Sequence, residues 1–176
     1  MAEAPWYAAL RERYRPERVH LLLVGESAPD PRSADRRFFY APTLTGADNL
    51  FRGVLLALYH HRFPPGSAGA SKVPWLERLK GDGVFLIDLV PFPVNGLSSG
   101  PRARARRDAA ADTVAVAVNL RPDGIIVCHA PSFEVLRAPL REAGVPLLHD
   151  APIPFPLGNM RARFVEGVRV ARDRAT

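Results

Sequence analysis

The chain has 176 residues, a length that fits one domain able to bury about 70% of its unfolded surface without disulfide or metal. Its single cysteine, Cys128, excludes an intramolecular disulfide framework, a four-cysteine zinc ribbon and a four-thiolate iron–sulfur cluster. The formal charge of +6 is carried mostly by arginine and favours an anionic partner, although a GC-rich genome produces the same arginine enrichment.

Residues 5–14 read as a short amphipathic helix, with Trp6, Leu10 and Tyr14 at four-residue spacing and Pro16 closing it. The apolar run 19–24 stops at Gly25 and lacks alternation, as a parallel strand buried on both faces does. A polar loop with two prolines leads to Arg36-Arg37-Phe38-Phe39-Tyr40. Residues 48–61 are helical, with Leu50, Val54, Leu55 and Leu58 on one face, and a Pro/Gly/Ser loop over 63–71 leads to a short helix at 74–79. A second buried strand covers 84–90 and carries Asp88, followed by a long loop over 91–100. The next helix, 101–119, starts with a proline and opens with Arg102, Arg104, Arg106 and Arg107. A third strand at 124–129, a helix at 132–143, a fourth strand at 145–149 and a last helix at 159–172 complete the chain. Strand and helix alternate, which predicts an α/β three-layer sandwich with a four-stranded parallel sheet flanked by helices, one domain over 1–176. Residues 1–15 mix Glu and Arg among apolar residues, and no apolar run reaches bilayer length, so the expectation is a soluble, cytoplasmic chain with no membrane partner.

Ligands of open α/β sheets bind beyond the carboxyl ends of the strands. The four predicted ends carry Gly25-Glu26-Ser27-Ala28-Pro29-Asp30, Asp88 followed by Pro91 to Asn95, Cys128-His129-Ala130-Pro131-Ser132, and His149-Asp150-Ala151-Pro152. A lone strand-end carboxylate is usually a cap or a solvated turn. Four ends rich in Glu, Asp and His with stiffening prolines point to a site.

Gly25-Glu26-Ser27-Ala28-Pro29 after a buried strand resembles the first motif of the uracil-DNA glycosylase superfamily, a water-positioning loop. Its Gly-Glu start is closest to a branch that carries an iron–sulfur cluster on four cysteines, which this chain lacks. Phe38-Phe39-Tyr40 falls where that superfamily places an aromatic that stacks on the extruded base, and Val84–Asp88 resembles the strand ending in a base-reading residue, usually asparagine. His149-Asp150-Ala151-Pro152-Ile153-Pro154, with Asn159 to Phe164 after it, resembles the last motif, a His and a Pro-rich loop that enters the duplex.

The resemblance implies hydrolysis of the N-glycosidic bond of a damaged or deaminated base in DNA, in base excision repair, by a monomer that uses no metal or cofactor. It implies that Glu26 orients or deprotonates water, that His149 donates to the leaving base, and that Asp88 occupies the base-reading position. Gly25, Ser27, Phe39, Tyr40 and Asn95 would contact the base; Ser132, Leu157, Asn159, Arg161 and Arg163 would contact DNA, with Leu157 as a wedge. His129 competes with His149 for the donor role, and Ser132 reads as a helix cap beside it. Asp88 departs from the pattern, because an ionised Asp offers acceptors only and faces O4 of uracil with repulsion. It suits neighbouring N–H donors of the guanine type; otherwise it is protonated by burial, activates water, or leaves reading to Asn95. Two other functions fit the fold: a catalytically inactive DNA-binding member, or a small-molecule or nucleotide-binding hydrolase. The last lacks any P-loop, Rossmann glycine fingerprint or Gly-x-Ser-x-Gly elbow.

Overall fold

Three of the apolar runs form parallel strands: β1 (Leu21–Ser27), β2 (Val84–Val90) and β3 (Gly124–Val127). The computed structural model describes residues 5–30 and 38–174; Arg36 and Arg37, and the side chain of Trp6, lie outside the described residues. β1 is central in the order β2-β1-β3, with Leu21 in register with both Val84 and Gly124. Leu22, Leu23, Val24, Ile125, Ile126 and Val127 are all buried, so the middle of β1 and the body of β3 are covered on both faces and show no polar alternation.

Helices flank the sheet: α1 (Pro5–Arg13), α2 (Asn49–Tyr59), α3 (Val73–Gly81), α4 (Ser99–Leu120), α5 (Ala130–Glu142) and α6 (Arg161–Asp173). α2 packs on α6, and α4 packs on α5 and β2. Gly53 makes the first of these contacts close. A Cβ there would stand 3.0 Å from both the Phe164 ring and Pro156, so the glycine lets the loop before α6 lie flat on α2. Among the described residues, no helix is long and apolar enough to cross a membrane.

Among the described residues the sheet has three strands, not the predicted four. The run 145–149 reaches β3 through a single bridge between Ile125 and Leu147. Ile125 N–H donates to Pro146 O (2.8 Å) and Leu148 N–H to Ile125 O (3.0 Å). The next donor on that edge, Val127 N–H, goes to Nε2 of His149 at 3.0 Å instead of to a backbone carbonyl. Nδ1 of the same ring lies 2.8 Å from Ala151 O, which fixes the proton on Nδ1. A side chain thus takes the place of a strand, and the chain turns away into its prolines. The opposite edge ends similarly: the Tyr40 hydroxyl accepts from Leu86 N–H (2.7 Å) and donates to Leu86 O (2.9 Å) on β2.

Two predicted helix starts also move. α5 begins at Ala130, so Ser132 sits in its first turn rather than at the cap, and Pro131 fits that turn because it lacks an N–H. A 3₁₀ turn, Gly158–Met160, precedes α6, and Asn159 lies within that turn instead of capping the helix.

Candidate functional site

The carboxyl end of β1 carries the site. Gly25 stands in register with Asp88, and a Cβ on it would fall 2.8 Å from Asp88 Oδ1, so glycine is what allows that carboxylate to lie over β1. Arg11 of α1 holds the same carboxylate from the other side, Nη2 to Oδ2 at 2.9 Å. The next residue, Glu26, is gripped by two arginines that α4 presents four residues apart on one face. Arg102 donates through Nε to Oε1 (2.9 Å) and through Nη2 to Oε2, and Arg106 donates through Nη1 to Oε1 (2.6 Å). Nε2 of His129 lies 3.8 Å from Oε2, and its Nδ1 meets the buried Ser132 hydroxyl at 2.8 Å.

Burial pushes the Glu26 carboxyl up, but the Arg102 hydrogen bonds, the attraction of the His129 ring when acid protonates it, and the Arg106 bond outweigh it. The group is held below the usual 4.5. Burial pulls His129 below the usual 6.5 against the opposing attraction of Glu26, so its ring is neutral at pH 7. Glu26 is therefore a fixed anion and His129 a neutral hydrogen-bonding ring.

These groups open into a cavity of about 430 Å³, within the roughly 300–1,000 Å³ range of small-molecule sites. Phe38, Phe39, Phe51 and Phe155 supply its apolar wall, and Glu26, Asp48, Asp88, Asn95, Arg102 and His129 its polar positions. Asp48 lies at the start of α2 and is tied to Lys72, whose Nζ is 3.3 Å from Oδ1, 3.0 Å from Phe38 O and 4.4 Å from the Phe51 ring centroid. Lys72 is 0% exposed, and burial pulls its ammonium down to about 8. Leu157 lines the cavity from the proline-rich loop with 61% of its surface exposed.

The structure brings together Glu26, Ser27, Asp88, Phe39, Asn95 and Leu157 of the residues singled out from sequence, with Gly25 beneath Asp88. His149 does not line the cavity. It is buried, both ring nitrogens are engaged by backbone, and its ring lies 4.7 Å from that of Phe133. Tyr40 is likewise occupied at the β2 edge, and Ser132 reaches the site only through His129. Asn159 and Arg163 are exposed outside the cavity lining, while Arg161 donates to Asn49 Oδ1 at 3.1 Å, and Asn49 does line it.

Sequence reasoning misses Arg11, Asp48 with Lys72, and the ring of Phe155. The i, i+4 spacing of Arg102 and Arg106 is a readable sign of a shared anion. Nothing local marks Arg11, which meets Asp88 across 77 positions. Among the described residues, no group of three His, Cys, Asp or Glu is placed to hold a metal ion. The chain matches no family model, no curated protein and no solved structure.

Proposed function

We propose that the chain is a DNA glycosylase-like hydrolase that takes an extruded base into this cavity and cleaves its N-glycosidic bond. One observation carries the reading. Glu26, Asp88 and His129, from three strand ends, open into one aromatic-walled cavity whose rim bears an exposed leucine on a proline-rich loop. Unstacking a base costs free energy, which a wedge in the stack and an aromatic face in the pocket offset. Leu157 serves as the wedge and Phe39 as the stacking face.

As the bond to the base lengthens, the sugar gains positive charge at C1′, and a fixed anion nearby stabilises it. Glu26 fills that part and orients the water. Its low proton affinity makes it a poor base, which suits a reaction whose sugar is already a strong electrophile. The water oxygen bonds to C1′, the electron pair of the N-glycosidic bond leaves with the base, and the proton of the water ends on that base. His129 takes the donor role beside the leaving base, since it lines the cavity and His149 does not. Arg161 and Arg163 at the start of α6, with Arg104 and Arg107 on α4, supply contacts to phosphate.

The test is base release from oligonucleotides containing uracil, hypoxanthine, xanthine or oxidised guanine, single- and double-stranded. Wild type is compared with Glu26→Gln and His129→Ala. Release that falls at least a hundredfold in both variants supports the reading. No release from any substrate sinks the enzymatic form. A second reading, a base-pocket DNA binder without turnover, is favoured by one observation: three hydrogen bonds from two arginines already occupy the Glu26 carboxylate. It predicts salt-sensitive DNA binding with no base released.

A further inference from the structure

We infer that Lys72 is the positioning residue of the candidate cavity: from behind its wall, one ammonium ties together the peptide between Phe38 and Phe39, the carboxylate of Asp48 and the ring of Phe51. Those four residues line the cavity, and Lys72 does not. What the cavity holds rests on the base-pocket reading above; what holds its wall rests on geometry alone.

The local chain brings the lysine there. Residues 69–72 run antiparallel beside 42–44: Gly69 N–H donates to Leu44 O (2.8 Å), Leu44 N–H to Ala70 O (2.8 Å) and Lys72 N–H to Pro42 O (2.7 Å), with Thr43 bridged to Ser71. Lys72 ends this ladder just before α3, and its side chain is fully buried. Nζ donates to Phe38 O at 3.0 Å and to Asp48 Oδ1 at 3.3 Å. It also stands 4.4 Å from the centroid of Phe51, whose ring face attracts a cation. Asp48 Oδ2 accepts from Thr45 N–H at 2.6 Å, so one carboxylate oxygen takes the ammonium and the other holds the loop before α2.

Replacing a buried ion pair with apolar side chains of similar volume is often neutral or stabilising, so stability alone does not account for an ammonium here. What the charge supplies is direction. The peptide between Phe38 and Phe39 carries a cavity ring on each side, and Phe39 meets Phe51 edge to face with 5.3 Å between centroids. One cation bound to that peptide's carbonyl and set over Phe51 fixes both sides of this aromatic corner at once. A wall already ordered loses less freedom when a base stacks on it. Burial pulls the ammonium down to about 8 against the attraction of Asp48, and Arg52 on α2 adds to the fall. The tie is in force at pH 7 and loosens in mild alkali.

The test follows the wall itself, on the full chain, by NMR across mild alkali. The Lys72 ¹³Cε signal, the Phe39 backbone ¹⁵N signal (which shares its peptide with Phe38 O) and the Phe51 ring signals are expected to move together, with one midpoint at about pH 8. In Lys72→Met with Asp48→Asn, which removes both charges of the pair, the Phe39 and Phe51 signals are expected to stay flat. Base release by that double variant at pH 7 is expected to show a KM at least tenfold above wild type and a smaller fall in kcat. No shared step in wild type, the same step in the double variant, or an unchanged KM overturns the inference and leaves the base pocket standing. If the double variant does not fold, the wild-type titration alone decides. If no base is released by any form of the chain, the base-pocket reading falls and the NMR signals still decide what Lys72 does.

Discussion

At Glu26 two guanidinium groups set what one carboxylate can do. Because its proton affinity is held below the usual value, its ion pairs stabilise the fold fully above pH 4.5, and that contribution fades as pH falls through the lower folded value. Arg102→Met removes the largest opposing contribution to burial, so the Glu26 titration followed by carboxyl ¹³C NMR is expected to move upward. Base release by that variant is expected to begin its acid fall at a higher pH than wild type. A downward or absent move would show that Arg102 does not hold the charge. Lys72 and Asp48 pose the opposite problem, since both are buried. Breaking a buried pair from one side leaves an uncompensated charge, so Lys72→Met is expected to cost about 3–5 kcal/mol in urea unfolding. Lys72→Met with Asp48→Asn is expected to cost far less. Equal losses in the two variants would mean that Lys72 packs without pairing.

Among the elements, the contact of α2 with α6 and the proline-rich loop depends on Gly53. Alanine there gains about 1 kcal/mol of helix propensity, yet its Cβ would press on Phe164 and Pro156, and overpacking typically costs about 1–3 kcal/mol. Phe164 is fully buried and has nowhere to retreat, so Gly53→Ala is expected to be net destabilising in a urea melt. A more stable variant would show that the loop yields. Leu157, on that same loop, is mostly exposed, so Leu157→Ala is expected to leave the melting temperature unchanged while base release from duplex falls at least tenfold. The strands and most of the helices were legible because unbroken apolar runs bounded by Gly and Pro mark buried parallel strands. The strand ends made Glu26, Asp88 and His129 legible as neighbours. The fourth strand was misread because 145–149 has the same apolar pattern, and pattern does not register that a histidine ring takes the ladder's next donor. The partners Arg11 and Lys72 stayed hidden because only the tertiary fold brings a distant cation to a buried carboxylate.

For the whole molecule, the half-buried His129 and the buried His149 couple stability to pH. Burial is the largest cause of the lowered proton affinity of both His129 and His149, so the unfolded chain binds protons that the native state refuses. Stability is therefore expected to be complete above pH 6.5 and to fall as pH drops from there through the folded values, before the carboxylates titrate. Urea midpoints at pH 7.5, 6.5 and 5.5 check this, and a flat profile across that range would refute it. His149 also bears on assembly. A sheet grows like a polymer, each edge offering its free backbone groups to the next strand. Here both growing ends carry a chain-stopper, the Tyr40 phenol at Leu86 and the His149 imidazole at Val127. A side chain satisfies the donor without exposing a new row of its own, so propagation halts at three strands. Removing the stoppers with Tyr40→Phe and His149→Ala is expected to produce concentration-dependent, thioflavin-positive assemblies, at lower protein concentration in the double variant than in either single one.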